Sequence, residues 1–184
     1  MADKVIFLDR DGVINRDPGE KLYVTAPKDF EFLPGVLEAL KRLRENGFKV
    51  VVISNQAGVS KGLFTKEALD EVNSYMLEEA EKYGARIEGV FYCTHRNEDN
   101  CECRKPKPGL IKKAVDELNL SPDGAYLIGD SRGDIEAGRA FGLKAALVLS
   151  GKAKLNDVDC WPVKPDLIKT DLLDAVNWII KRYS

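Results

Sequence analysis

Apolar residues fall into five short runs along this chain, at residues 5–8, 50–53, 90–92, 126–128 and 145–149. Each run is apolar almost throughout and does not alternate with polar positions, which predicts strands buried on both faces, as in the middle of a parallel sheet. Longer amphipathic stretches separate them, so the pattern predicts βαβ units with helices covering both faces of one sheet. Pro34 suits a first helical position, Val36, Leu37, Leu40 and Leu43 make one stripe, and Asn46-Gly47 supplies the stop. A second helix starts at Thr65 as cap, carries Leu69, Val72, Met76 and Ala80, and ends near Gly84. Further helices are predicted over about 109–118, 134–141 and 172–183. Two stretches resist the alternation, 15–32 and 93–108. Both follow strands, and loops after strands gather at the carboxyl edge of an open sheet, where ligands bind.

Length narrows this to one domain over residues 1–184, with no repeat, linker or low-complexity tract to divide it. With 44% hydrophobic and 32% charged residues, fibrous, coiled-coil and disordered classes are excluded. The 28 Lys and Arg against 30 Asp and Glu leave a net charge of -2, hence no global field to draw in nucleic acid. Four apolar residues before Asp9 are too few for a signal-peptide core, and no run approaches the roughly 20 residues of a membrane span. The expectation is a cytoplasmic chain without nucleic-acid or membrane partners, a monomer by default.

The chemistry sits at the ends of the predicted strands. The first ends in Asp9-Arg10-Asp11-Gly12-Val13, with two acids two residues apart. In an extended tip they point the same way and repel, a cost that a hard, oxygen-ligated divalent ion such as Mg2+ relieves. An Asp-Gly turn with solvated acids is the plain alternative for this motif alone. The second run ends in Ser54-Asn55-Gln56, the fourth in Gly129-Asp130-Ser131-Arg132-Gly133-Asp134, and Arg104-Lys105-Pro106 leads into a helix. Strand ends thus bring acids, a hydroxyl and a cation to one edge.

These four motifs, matched in order across nearly the whole chain, resemble the haloacid dehalogenase (HAD) superfamily of phosphatases. Within it they are most similar to the small capless histidinol-phosphate and heptose-bisphosphate phosphatases. The resemblance implies a single-domain Rossmann-like α/β fold with a central parallel sheet, helices on both faces and no cap domain. It implies Asp9 as the nucleophile that becomes an aspartyl phosphate and Asp11 as general acid and base. Ser54 and Lys105 would hold the phosphoryl oxygens, and Asp9, the Asp11 carbonyl and Asp130 would hold Mg2+. Asp134 is assigned to the second shell of that metal or to orienting Lys105. Substrate contacts fall on Asp17, Gly19, Tyr23, Asn55, Gln56 and Arg104. The implied substrate is a small phosphorylated sugar, the 7-phosphate of D-glycero-D-manno-heptose 1,7-bisphosphate being removed. Histidinol phosphate is the alternative, with Asp17 and Glu20 as an acidic pocket for its cation. A zinc-bearing binder without catalysis, and a 3'-phosphatase on nucleic-acid ends, are alternatives of other kinds.

The loop after the third run holds Cys93, His95, Cys101 and Cys103, three thiolates and one imidazole in eleven residues. That set closes a tetrahedral structural Zn2+ site and leaves no position for an activated water. Free thiols or an iron-sulfur cluster fit the pattern less well. Because this zinc-binding loop, about 93–108, runs into Arg104-Lys105, fixing it fixes the cations that meet substrate. Lys107, Lys112 and Lys113 read as solvated, and Cys160 beside Trp161 as a buried thiol.

Overall fold

The computed structural model describes residues 3–19 and 22–183. Six strands form one parallel sheet: β1 (Val5–Leu8), β2 (Lys49–Asn55), β3 (Gly89–Cys93), β4 (Tyr126–Gly129), β5 (Lys144–Val148) and β6 (Leu167–Lys169), in the order β3-β2-β1-β4-β5-β6. Among the described residues five α-helices connect or follow them: α1 (Val36–Glu45), α2 (Lys66–Lys82), α3 (Gly109–Glu117), α4 (Arg132–Phe141) and α5 (Leu172–Tyr183). Register explains the two-sided core. In β1, Ile6 and Leu8 face α1, α2 and α5 through Leu40, Met76 and Ile179, while Val5 and Phe7 face α3 and α4 through Ile111 and Ala137. Burial on both faces is why the central strands read as unbroken apolar runs.

The structure differs from the pattern at four points. The strand at 90–92 is an edge strand, with Gly89, Val90 and Tyr92 only half-buried, because no strand covers its outer side. Strand β6 escaped the pattern, being three residues long and preceded by Pro165-Asp166. Pro34 does not open α1. Gly35 at φ 77° intervenes as the capping residue and breaks the path into the helix before Val36. Helix α4 also begins two residues earlier than its stripe, because Ser131 and Asp134 cap it. Among the described residues no helix is long and apolar enough to cross a membrane.

Thr65 does cap α2, its hydroxyl accepting from the Ala68 N–H at 3.1 Å. Thr65→Ala therefore lowers unfolding free energy by about 1 kcal/mol. Urea denaturation checks this as a lower midpoint at constant m-value.

Candidate active site

Strand order reverses between β2-β1 and β4-β5, and a crevice opens there at the carboxyl ends. Asp9 follows β1 directly, its N–H donating to the Ile128 carbonyl at 3.0 Å, and Asp130 follows β4. Lys105, just before α3, reaches Asp9 with a side chain only 4% exposed. Its ammonium donates to the Ile53 carbonyl at 2.8 Å and forms ion pairs with Asp9 Oδ1 at 2.9 Å and Asp134 Oδ1 at 2.6 Å. Burial alone would pull its proton affinity down, but Asp134 and Asp9 outweigh that and hold it above the ordinary lysine value. Asp134 is fully buried, and its Oδ2 accepts the Ser131 N–H and hydroxyl at 3.1 and 2.6 Å. One carboxylate therefore caps α4 and anchors Lys105.

Asp130 is 1% exposed. Its Oδ2 accepts the Lys152 N–H at 2.8 Å, whereas its Oδ1 is buried without a hydrogen-bond partner. A Cβ on Gly12 or Gly151 would stand 2.2 or 2.0 Å from Oδ2, so only glycine fits at either position, and Gly12 also has φ +85°. Burial, then repulsion from Asp134, raises Asp9 to about 6. Burial, then repulsion from Asp9, raises Asp130 to about 8. Carboxylate oxygens of Asp9, Asp130 and Asp134 lie within 4.8 Å of one another. Crowded buried acids with an orphaned oxygen are a donor set that suits a hard divalent cation.

Asp11 stands in a different environment. The expected repulsion with Asp9 is relieved by donors: Asn15 Nδ2 at 2.9 Å, Gln56 Nε2 at 2.8 Å and Arg10 at 3.2 Å. Burial pushes its proton affinity up, but the Arg10 charge and these bonds overcome it and hold Asp11 below the usual carboxylate value. Gln56, expected among the substrate contacts, is fully buried, and its amide bridges Asp11 and the Ser54 hydroxyl, 2.8 Å from each. Asn55 lines the cleft, yet both ends of its amide bond the Lys105 backbone at 3.1 Å. Both arrangements have one cause, since amides at a strand end turn inward to hold neighbours whose charge is buried.

The cleft encloses about 400 Å³ and is rimmed by Gly19, Tyr23, Arg104 and Lys152. Asp17 is not on its wall, as its carboxylate accepts the Gly19 N–H at 3.1 Å and closes a local turn. Glu20 lies outside the described residues, and the suggested acidic pocket with it. Sequence reasoning missed Lys152, although Ser150-Gly151-Lys152 follows an apolar run as the other motifs do.

Cys93, His95, Cys101 and Cys103 converge. The Cys93 sulfur lies 3.1 Å from that of Cys103 and 3.6 Å from that of Cys101, and His95 Nδ1 is 3.2 Å from Cys103 Sγ. None of the cysteines is in a disulfide. Four soft donors at these separations are compatible with tetrahedral zinc. Arg104 is fixed by the same loop, donating to Asn97 Oδ1 at 2.6 Å and the His95 carbonyl at 3.3 Å. Lys107 is not simply solvated, because it bonds the Asn100 carbonyl at 3.0 Å and Glu102 at 2.8 Å and so braces the loop. Cys160 is exposed in a 3-10 turn and not buried, since the apolar contact there comes from Val158.

An HAD-hydrolase-like family model matches residues 102–175. The chain is 36% identical to a D-glycero-beta-D-manno-heptose-1,7-bisphosphate 7-phosphatase of Haemophilus ducreyi, over 97% of this chain and 100% of that one. It is also 36% identical to the Yersinia pestis protein of the same name, over 97% and 96% of the two chains. Among solved structures, the D,D-heptose 1,7-bisphosphate phosphatase of B. bronchiseptica, complexed with magnesium and phosphate, superposes with a TM-score of 0.87 at 30% identity, covering 97% of this chain and 99% of that one.

The raised acids fix a pH dependence. Between the unfolded value of 3.8 and about 8, folded Asp130 keeps a proton that the unfolded chain has released, so metal-free stability falls as pH rises across that window. A divalent cation held by Asp130 would have to displace that proton, so the expected affinity for such a cation rises with pH, by about tenfold per unit where one proton is exchanged. Calorimetric titration at pH 6 and pH 8 in two buffers of different ionisation enthalpy reads both the affinity and the proton release.

Proposed function

We propose, from the premise that this chain belongs to the HAD-like phosphatase family of the D-glycero-beta-D-manno-heptose-1,7-bisphosphate 7-phosphatases, that it hydrolyses the 7-phosphate of that sugar bisphosphate. The observation that carries the phosphoryl-transfer reading is Asp9 held 2.9 Å from the Lys105 ammonium, beside an Asp130 oxygen with no partner. In the first step an Asp9 oxygen bonds phosphorus as the ester P–O bond breaks, and Asp11 passes its proton to the leaving oxygen. An arriving phosphate dianion beside Asp11 raises the proton affinity that Arg10 lowers, which lets the same group carry that proton. In the second step water oxygen bonds phosphorus, the Asp9–phosphorus bond breaks, and the water proton returns to Asp11.

Ser54 and Lys105 donate to the phosphoryl oxygens. Gln56 occupies the acceptor side of the Ser54 hydroxyl, which leaves its proton free for the phosphate. Asp9 and Asp130, with the Asp11 carbonyl, would hold Mg2+, whose charge offsets the repulsion between carboxylate and phosphate. Two rim cations, Arg104 and Lys152, suit a substrate with a second anionic group better than the cationic end of histidinol phosphate. The relatives' names specify the beta anomer, and we assign that anomer here.

In this reading Cys93, His95, Cys101 and Cys103 hold a structural zinc in a reducing, cytoplasmic setting. The metal acts through the backbone that carries Arg104 and Lys105.

The decisive assay compares kcat/KM, from phosphate release, for both anomers of the heptose bisphosphate and for histidinol phosphate. A preference of at least about a hundredfold for the beta anomer over histidinol phosphate, about 2.7 kcal/mol, is expected. Asp9→Asn abolishes release from every substrate, and turnover persisting in it would overturn the nucleophile assignment. Removing zinc with a strong chelator lowers the melting temperature and raises KM more than it lowers kcat. Unchanged melting and kinetics, with metal loss verified by elemental analysis, would refute the role given to the loop.

A further inference from the structure

The mechanism above uses Arg10 only as a charge beside Asp11 and gives no account of its burial, the least expected feature of the site. Arg10 is fully buried, and a guanidinium withdrawn from water is costly unless an opposite charge and hydrogen-bond acceptors meet it. One arm donates to Asn73 Oδ1 at 3.0 Å. The other donates to both Asp11 oxygens, at 3.2 and 3.3 Å, while Nε has no partner. Asn73 is the polar member of an otherwise apolar buried stripe on α2, with Leu69, Val72, Met76 and Ala80. An amide in such a stripe is costly unless bonded, and the bond it makes is to Arg10.

Asp11 is thus gripped from three directions. Asn15 takes Oδ1, Gln56 takes Oδ2, and Arg10 alone spans both and reaches back to a helix. Asn15 and Gln56 are themselves shared, with the Arg16 carbonyl and the Ser54 hydroxyl. The Arg10 carbonyl meanwhile accepts from Ile14 N–H at 2.8 Å and Asn15 N–H at 3.2 Å, which holds the turn whatever the side chain does. We propose that the buried Arg10–Asn73 pair positions the Asp11 carboxylate for proton exchange with the leaving oxygen, acting through Asp11 and touching no substrate. This rests on the phosphatase reading above.

The test exploits the leaving group. An alkoxide departs only with the proton Asp11 delivers, whereas p-nitrophenolate departs as the anion, and kcat/KM reports the steps through phosphoenzyme formation. A positioning fault therefore lowers the ratio of kcat/KM for an alkyl phosphate, the heptose bisphosphate, to that for p-nitrophenyl phosphate. General damage lowers both together and leaves the ratio alone. In Asn73→Ala the ratio falls by about tenfold or more, a part of the roughly 10²–10⁴-fold that proton transfer contributes. Asn73→Asp, which keeps an acceptor oxygen toward Arg10, restores it to within about threefold, and Arg10→Met lowers it further. Should Arg10→Met fail to fold, the two Asn73 variants decide. A ratio that does not move in folded Asn73→Ala, or that Asn73→Asp does not restore, overturns the proposal. Wild-type protein that hydrolyses neither ester would instead overturn the phosphatase reading, so the two failures are told apart.

Discussion

The Lys105 ammonium, bonded to Asp9, Asp134 and the Ile53 carbonyl, is the interaction on which the carboxyl edge of this sheet depends. Through it, ends of β1 and β2, the approach to α3 and the first turn of α4 share one buried charge. Taking a single lysine out of water is unfavourable, and so is burying two acids a few ångströms apart. Each burial becomes tolerable only in company of the others. Lys105 alone leaves the acidic edge short of positive charge, because Asp130 has one oxygen unsatisfied. The fold therefore holds a deficit of positive charge at the point where a cation and a phosphate ester would meet.

The loop that carries Cys93, His95, Cys101 and Cys103 extends this arrangement outward. Arg96, next to His95, donates to the Ser60 carbonyl at 3.1 Å, and Phe64, farther along that segment, packs its ring 5.4 Å from the ring of Tyr23. Asn97 and the His95 carbonyl hold Arg104. Arg104 and, through Ser60 and Phe64, the segment beside Tyr23 are thus tied to the loop that carries the cysteines and histidine.

Much of this was legible in the sequence, for physical reasons that differ by element. Strands β1, β2, β4 and β5 are buried on both faces, so their residues had to be apolar throughout. At the edges that constraint lapses, which is why β3 was misjudged and β6 overlooked. The acids, Ser54 and Lys105 were visible because polar groups at the ends of buried strands need a reason to be there. What one sequence does not reveal is the direction in which an amide turns. Asn55 and Gln56 sit where substrate contacts would, yet they hold Lys105 and Asp11. Arg10 gave no sign of burial, since arginine is rarely buried without a partner and that partner, Asn73, lies 63 residues away.

Gly12 and Gly151 approach the same Asp130 oxygen from two loops that are far apart in the chain. Neither position has room for even a methyl group. The surroundings of Asp130 are thereby closed to variation by volume alone, while Gly19, Tyr23, Arg104 and Lys152 line the cleft itself. Divergence of this chain toward other phosphate esters therefore has a geometric channel: the rim can be rebuilt one side chain at a time while the reacting centre is inherited unchanged.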